Sequence, residues 1–134
     1  KIKNKSFANN FIFPGFINQA EIEFIASKSN YGIAPIVNRT DYMLSLPNKV
    51  LDYPANGLKV LTSLKGETKN FIENNKLGFF YKDSEDLAKL FINIENEFYS
   101  KKNIKDIYQK IFNQKDIYKN ALNCLESISL KKNN

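Results

Sequence analysis

Histidine is absent from the 134 residues, and cysteine occurs once, as Cys124. Without histidine the chain lacks the commonest general base and a frequent metal ligand, so we expect no metal site. A single cysteine excludes a disulfide within the chain. No apolar run approaches the length of about 18 residues that a membrane-spanning helix needs. The polar start, KIKNKSFANN, lacks the apolar segment of a signal peptide and does not begin with Met, so we expect a piece of a longer protein.

Positive charge is in excess and unevenly placed. Residues 1–98 carry twelve Lys or Arg against eleven Asp or Glu, whereas residues 99–134 carry eight against three, a net of +5. Such a tail is most often a solvated helix face, and the alternative is attraction to the phosphates of nucleic acid or anionic lipid. Nucleic-acid binding needs exposed aromatics among the basic residues; Tyr108 and Tyr118 fit core packing equally well, so we expect no nucleic-acid partner.

Short apolar runs alternate with amphipathic segments along most of the chain. Four runs are predicted as strands: Asn10–Phe16, Tyr31–Val37, Lys59–Ser63 and Gly78–Tyr81. Because these runs lack the alternation of a half-exposed strand, they favour a parallel sheet that is covered on both faces. The fold class expected is α/β, a Rossmann-like parallel sheet of about four strands with flanking helices and a helical C-terminal extension.

Helices are predicted between and after these strands. The first covers Asn18–Ser29, and a second begins at Ser45 as N-cap and ends near Ala55, where Asn56-Gly57 provides a left-handed stop. A third covers Gly66–Asn75, and a fourth begins at Asp83 or Ser84. The fourth helix has an apolar stripe of Leu87, Phe91, Ile94 and Phe98. Residues 99–134 predict two more helices with a bend near Asn113, and residues 38–45 a polar loop.

Ligands of parallel sheets bind outside the carboxyl ends of the strands. The loops there are predicted to be Pro14–Asn18, Asn38–Pro47, Thr62–Glu67 and Lys82–Ser84. The helix start at Leu46, Pro47 and Asn48 presents free backbone N–H groups, which suit an anion, and Lys49 adds a positive charge suited to phosphate. Asp52 lies on the same helix face and can accept hydrogen bonds from ribose hydroxyls. Alternatively, Lys49 and Asp52 form only a surface ion pair, which their spacing alone favours.

Three further features border this region. Gly66 permits close backbone approach to a ligand, although Glu67 can equally be a first-turn acid that favours the helix dipole. Phe16 and Ile17 can offer an apolar contact to a flat base, although such residues more often belong to the core. Arg39, the only arginine, suits bidentate phosphate binding, and an exposed loop arginine is just as ordinary.

The ordered stretch from YGIAPIV through LPNKVLDYPANGLKV and LKGE to KDSEDLAKLF resembles the carboxyl-terminal half of a GT-B glycosyltransferase. The nearest group is the large family 4 (group 1) of sugar transferases. The resemblance implies that Asp52 binds the ribose and that Lys49 lies near the donor diphosphate. It also assigns positions around the donor to Leu46, Pro47, Asn48, Phe16, Ile17, Gly66 and Glu67. Leu44 stands where many members carry an acid that contacts the donor sugar.

The resemblance implies transfer of a sugar from a nucleotide-diphosphate sugar, with retention, in bacterial surface polysaccharide synthesis and without a cofactor. Residues 1–98 would form a partial nucleotide-sugar-binding domain, and residues 99–134 its helical extension. A saccharide or lipid-linked acceptor would bind through an amino-terminal domain, so we expect this portion alone to lack turnover. The location expected is cytoplasmic, with the basic tail at the inner membrane face. The alternatives are half of a nucleotide-sugar epimerase and a non-enzymatic α/β interaction module.

Overall fold

A computed structural model describes residues 10–95 and 97–132, and helices alternate with strands along them. The amino-terminal segment 1–9 lies outside the described residues. In chain order the elements are α1 (Gln19–Lys28), β1 (Tyr31–Ala34), α2 (Thr40–Met43), α3 (Asn48–Ala55), β2 (Lys59–Thr62), α4 (Glu67–Asn74), β3 (Gly78–Phe80), α5 (Ser84–Ile94), α6 (Lys101–Ile111) and α7 (Gln114–Lys132).

The described sheet has three parallel strands in the order β1-β2-β3, one strand fewer than predicted. Tyr31 pairs with Lys59, and Val60 with Gly78, so all three strands begin at the same edge. The strand predicted at Asn10–Phe16 is wrong: this run forms no ladder, and its Phe and Ile side chains are exposed. A strand exists only through hydrogen bonds to a neighbour, and this apolar run has no such partner among the described residues.

Proline sets two boundaries that differ from the predicted ones. β1 ends at Ala34 instead of Val37, since Pro35 has no N–H to continue a ladder. Ser45 is not the N-cap of α3, because Pro47 holds that position and the Ser45 hydroxyl donates to the Tyr42 carbonyl oxygen at 2.9 Å. The loop predicted over residues 38–45 also contains the one-turn helix α2. β2 and β3 each end one residue earlier than predicted.

Two apolar clusters pack on opposite faces of the sheet. On one face, Val50 of α3 and Ile72 of α4 bury against Ala34 and Val60. On the other, Ile94 of α5 packs with Leu61 and Tyr81, with Leu87 and Leu90 beside them. Only part of the predicted α5 stripe is therefore correct, because the Phe91 side chain is 42% exposed and Phe98 lies beyond the helix end in solvent.

Side-chain caps fix α1 and α5 where the sequence places them. Asn18 forms a capping box with Glu21, in which each side chain bonds to the other's backbone N–H. Asp83, one of the two caps predicted for α5, accepts hydrogen bonds from the N–H groups of Glu85 and Asp86 at 3.1 and 2.9 Å.

The predicted break near Asn113 is confirmed, because α6 ends at Ile111 and α7 begins at Gln114. α6 is packed on the rest of the molecule: Ile104 is buried, and the rings of Phe112 and Phe71 have centroids 6.0 Å apart. The Lys101 ammonium donates to the carbonyl oxygens of Ala26 and Ser27 at the end of α1. The first helix of the extension therefore belongs to the same packed unit as the sheet.

Candidate functional site

Hydrogen bonds tie together the loops that follow β1 and β2. The Asn38 amide donates to the Ser63 carbonyl oxygen at 2.9 Å, and its Oδ1 accepts from the Lys65 N–H at 2.8 Å. The Ser63 hydroxyl donates to the Ile36 carbonyl oxygen at 3.1 Å. Both loops leave the carboxyl edge of the sheet, and Asn38 bridges them with both ends of its amide. The sequence gives a weak signal for Asn38, a polar residue just after an apolar strand.

The starts of α3 and α4 lie side by side at this edge. Gly66 precedes α4 with φ of 72°, and a Cβ there would overlap the Met43 carbonyl oxygen. Two residues on, the buried Thr68 hydroxyl donates to the Ser45 carbonyl oxygen at 2.8 Å. These contacts bring Leu46, Pro47 and Asn48 close to Gly66 and Glu67. Sequence reasoning placed all five residues near the site but missed the Thr68 bond that holds them.

Neither helix start carries a side-chain cap. Pro47 has no group to offer the first N–H groups of α3, and Gly66 has no side chain for those of α4. The amides of Asn48 and Lys49 have no acceptor among the described residues. Both helices have eight residues, enough for their aligned dipoles to favour an anion at this end. The α3 start therefore presents unbonded N–H groups to an anion, whereas the Glu67 carboxylate offsets part of the dipole at the start of α4.

Lys49 and Asp52 open on one groove of about 360 Å³ between α1 and α3. Ile17 also lines this groove, so three of the predicted site residues share one cavity. The ion pair that the spacing of Lys49 and Asp52 favours does not form, because no contact within 4.0 Å joins them among the described ion pairs. The Asp52 carboxylate accepts no hydrogen bond from the described residues either, although its backbone oxygen accepts two from Asn56, one from the side-chain amide and one from the backbone N–H. Both charged groups are exposed and available to a ligand.

The groove is apolar apart from these two charges and a few polar groups. α1 contributes Ile22, Ile25 and Ala26, and α3 contributes Tyr53. The Tyr53 hydroxyl donates to the Ile33 carbonyl oxygen at 3.2 Å, which fixes the ring against β1. Burial raises the pKa of Tyr53 above its ordinary value, and the negative charge of Asp52 adds to the rise. Tyr53 was missed in the sequence, although its position four residues after Lys49 places it on the same helix face.

Seven candidate residues do not line this groove: Phe16, Arg39, Leu46, Pro47, Asn48, Gly66 and Glu67. The Phe16 side chain is fully exposed and does not line the groove, although Ile17 next to it does. Arg39 donates to both carboxylate oxygens of Asp41 at 3.1 Å and lies over the Tyr42 ring, 5.0 Å from its centroid. Two of its five N–H donors are thus occupied by Asp41 of α2, and the side chain remains 63% exposed.

A second cavity of about 640 Å³ lies at the opposite, amino edge of the sheet. Tyr31, Phe91, Glu97 and Tyr99 line it, and the Tyr99 hydroxyl donates to the Asn30 carbonyl oxygen. Beneath it the Lys59 ammonium pairs with Glu97 at 2.5 Å. Lys59 neutralises Glu97 here, whereas Glu95 at this cavity, like Lys49 and Asp52, has no ion-pair partner among the described residues.

Within the described ranges, no three His, Cys, Asp or Glu side chains come close enough together to hold a metal ion. No helix in those ranges is both long and apolar enough to cross a bilayer.

In comparisons with known proteins, no family model, no curated protein and no solved structure matches the chain.

Proposed function

We propose that this chain is the donor-binding portion of a glycosyltransferase that uses a nucleotide-diphosphate sugar. One observation carries the proposal: Lys49 and Asp52 stand unpaired on one groove, beside two adjacent uncapped helix starts. The helix starts lie at the carboxyl edge of the sheet, where open α/β folds bind their ligands, and the groove runs along β1 beside α3. The acceptor, retention of configuration, a role in surface polysaccharide synthesis and a cytoplasmic location rest on the sequence resemblance alone.

The two helix starts and Lys49 suit a diphosphate. Backbone N–H groups of Asn48 and Lys49 can donate to phosphate oxygens, and the dipoles of α3 and α4 favour the negative charge. The Lys49 ammonium adds a full positive charge that can reach either phosphate. When a sugar leaves a nucleotide diphosphate, negative charge grows on the diphosphate. Groups already fixed around it therefore stabilise the transition state more than the ground state.

Asp52 and Ile17 suit the nucleoside. The Asp52 carboxylate has no hydrogen-bond donor among the described residues, so it can accept hydrogen bonds from both ribose hydroxyls. Ile17 supplies an apolar surface at the same groove for the flat base. Because Asp is one methylene shorter than the Glu usual in the resembling family, the ribose would lie close to the α3 backbone.

The residues around the groove bind and orient a donor. No two of them form the hydrogen-bonded pair of nucleophile and base that covalent catalysis requires. Transfer between two sugars depends chiefly on placing donor and acceptor together. We therefore expect this chain to bind the nucleotide without turnover, and activity to require a separately bound acceptor.

NMR titration of the chain with UDP, GDP, ADP and CMP in parallel tests the proposal. We expect one nucleotide to shift amide resonances of Ile17, Leu46–Asp52 and Gly66–Glu67. Asp52→Asn and Lys49→Gln should each weaken binding by roughly tenfold, the effect of losing one charge-assisted hydrogen bond. The matched controls are Asp106→Asn and Lys102→Gln, which make the same changes at exposed positions of α6.

Three results would count against this function. The first is shifts that cluster at the amino edge, around Tyr31 and Tyr99. The second is equal weakening by the α3 variants and the α6 controls, which would mean only general charge attraction. The third is the absence of shifts with all four nucleotides, both for this chain and for any longer protein that contains it.

A further inference from the structure

α7 is exposed along its described length. Every side chain from Gln114 to Leu125, together with that of Ile128, is exposed. This includes large apolar side chains, whose exposed fractions lie between 48% and 69%: Ile117, Tyr118, Leu122, Leu125 and Ile128. α6, just before it, buries Ile104 and contacts α3, and Phe112 at its end packs on Phe71 of α4. The exposure is thus a property of α7 and not of the whole extension.

The apolar residues of α7 lie on one face. At about 100° per residue, Ile117, Ala121, Leu125 and Ile128 form a single line, and Tyr118 and Leu122 widen it on one side. Lys119, Asn120 and Asn123 lie on the opposite face, and Lys115 lies at the boundary between the two. Such a face in water needs a covering surface, since burying apolar area is favourable.

The net charge of the extension favours one covering surface. Residues 99–134 carry a net charge of +5. On α7 itself Lys115 and Lys119 are exposed together with one acid, Asp116, and α6 adds the exposed Lys102, Lys105 and Lys110. A second copy of the chain would bring the same positive charge against itself. An anionic bilayer instead offers both an apolar layer and negative headgroups, and lysine stems can extend from an inserted helix to the phosphates.

We propose that α7 lies in the plane of an anionic lipid surface, with the face formed by Ile117, Tyr118, Ala121, Leu122, Leu125 and Ile128 buried in the headgroup region. α7 has 19 residues but is not apolar enough to span a bilayer, so it rests on the surface. Because α6 is packed on α3, the bound helix would hold the domain beside the membrane. This inference does not depend on nucleotide binding.

Co-sedimentation with vesicles tests the proposal directly. We expect the chain to bind vesicles of mixed phosphatidylcholine and phosphatidylglycerol at least roughly tenfold better than vesicles of phosphatidylcholine alone. The double variant Leu122→Gln with Leu125→Gln should bind the anionic vesicles roughly tenfold or more weakly than the parent chain, since both residues lie on the inserted face. The matched control, Asn120→Gln with Asn123→Gln, changes the opposite face and should bind like the parent chain.

Two further measurements separate insertion from simple attraction. Lys115→Gln with Lys119→Gln should reduce the preference for phosphatidylglycerol, and added salt should then have a smaller effect than on the parent chain. The chain has no tryptophan, so Tyr118→Trp supplies one reporter whose emission should shift to the blue on anionic vesicles. Circular dichroism without lipid checks that each variant remains folded.

Equal sedimentation with both kinds of vesicle would overturn the proposal. An equal loss of vesicle binding in the leucine variant and its asparagine control would overturn the proposal as well. So would a dimer, detected by analytical ultracentrifugation, that the leucine variant abolishes while vesicles bind neither form, because a second copy would then cover α7.

Discussion

Tyr53 of α3 lies directly over Gly32 of β1, where a Cβ would overlap the tyrosine ring. The ring is held there by the hydrogen bond from its hydroxyl to the Ile33 carbonyl oxygen, at 3.2 Å. The absence of a side chain at Gly32 therefore sets how closely α3 approaches the sheet. Since Asp52 precedes Tyr53 in the helix, the same contact sets where its carboxylate stands.

Gly32→Ala should lower the free energy of unfolding by about 1–3 kcal/mol, because the new methyl group forces the Tyr53 ring to move. Urea denaturation followed by circular dichroism measures this loss. In a Tyr53→Leu background the same alanine should cost less, since the rigid ring is gone. If Gly32→Ala lowers the free energy of unfolding equally in the two backgrounds, the overlap is relieved by movement of groups other than the Tyr53 ring.

Gly66→Ala should destabilise the chain more than Gly15→Ala does. Both glycines have positive φ, 72° and 74°, and Gly66 also has a ψ of −138°, a backbone combination that residues other than glycine rarely adopt. A Cβ at Gly15 meets open space, whereas one at Gly66 overlaps the Met43 carbonyl oxygen. Thermal unfolding of the two variants gives the difference, which combines the backbone strain at Gly66 with its close contact to the end of α2. Equal melting temperatures would contradict that contact.

Local signals in the sequence predict the elements whose ends are fixed locally. Asp83 caps α5 with its own side chain, and Asn56-Gly57 ends α3 with Gly57 at a φ of 79°. Lys49 and Asp52 reach one groove because helical periodicity alone places them on one face. Here residues within one or two turns of each other determine the outcome.

Features that depend on distant parts of the chain were not predictable. The run 10–16 has the composition of a strand, yet a ladder requires a neighbour that composition does not reveal. The Asn38 and Thr68 bonds join residues at least 23 positions apart, and they hold the site together. Spacing favoured a Lys49–Asp52 ion pair, but a pair this exposed gains too little energy to fix two flexible side chains.

Glu97→Gln should cost about 1–3 kcal/mol of unfolding free energy, because it leaves the Lys59 ammonium buried without its counter-charge. Lys59 is 8% exposed, pairs with Glu97 at 2.5 Å, and lies over the rings of Phe79 and Tyr99. Adding Lys59→Met to Glu97→Gln should recover part of the loss, since no charge then remains buried.

The control for this pair is the exposed Lys69–Glu73 contact on α4, at 3.9 Å. Glu73→Gln should cost under about 0.5 kcal/mol, as solvent screens such pairs. Chemical denaturation of the three variants compares the two sites in the same chain. If Glu97→Gln lowers the free energy of unfolding no more than Glu73→Gln does, the burial of Lys59 does not depend on the Glu97 carboxylate.

Tyr53 should make the chain less stable in alkaline solution. Burial, and next the Asp52 charge, raise the pKa of Tyr53 above its ordinary 10.0, so the folded state holds the phenol proton more tightly than the unfolded state. That stabilisation is fully present below a pH of about 10, and it is lost as the pH rises through the raised pKa of Tyr53 in the folded state. Tyr53→Phe removes the ionisable group, so its unfolding free energy should decline less between neutral and alkaline pH than that of the parent chain. Tyr118→Phe, on the exposed α7, should leave the decline unchanged, and parallel pH profiles for Tyr53→Phe and the parent chain would contradict the assignment.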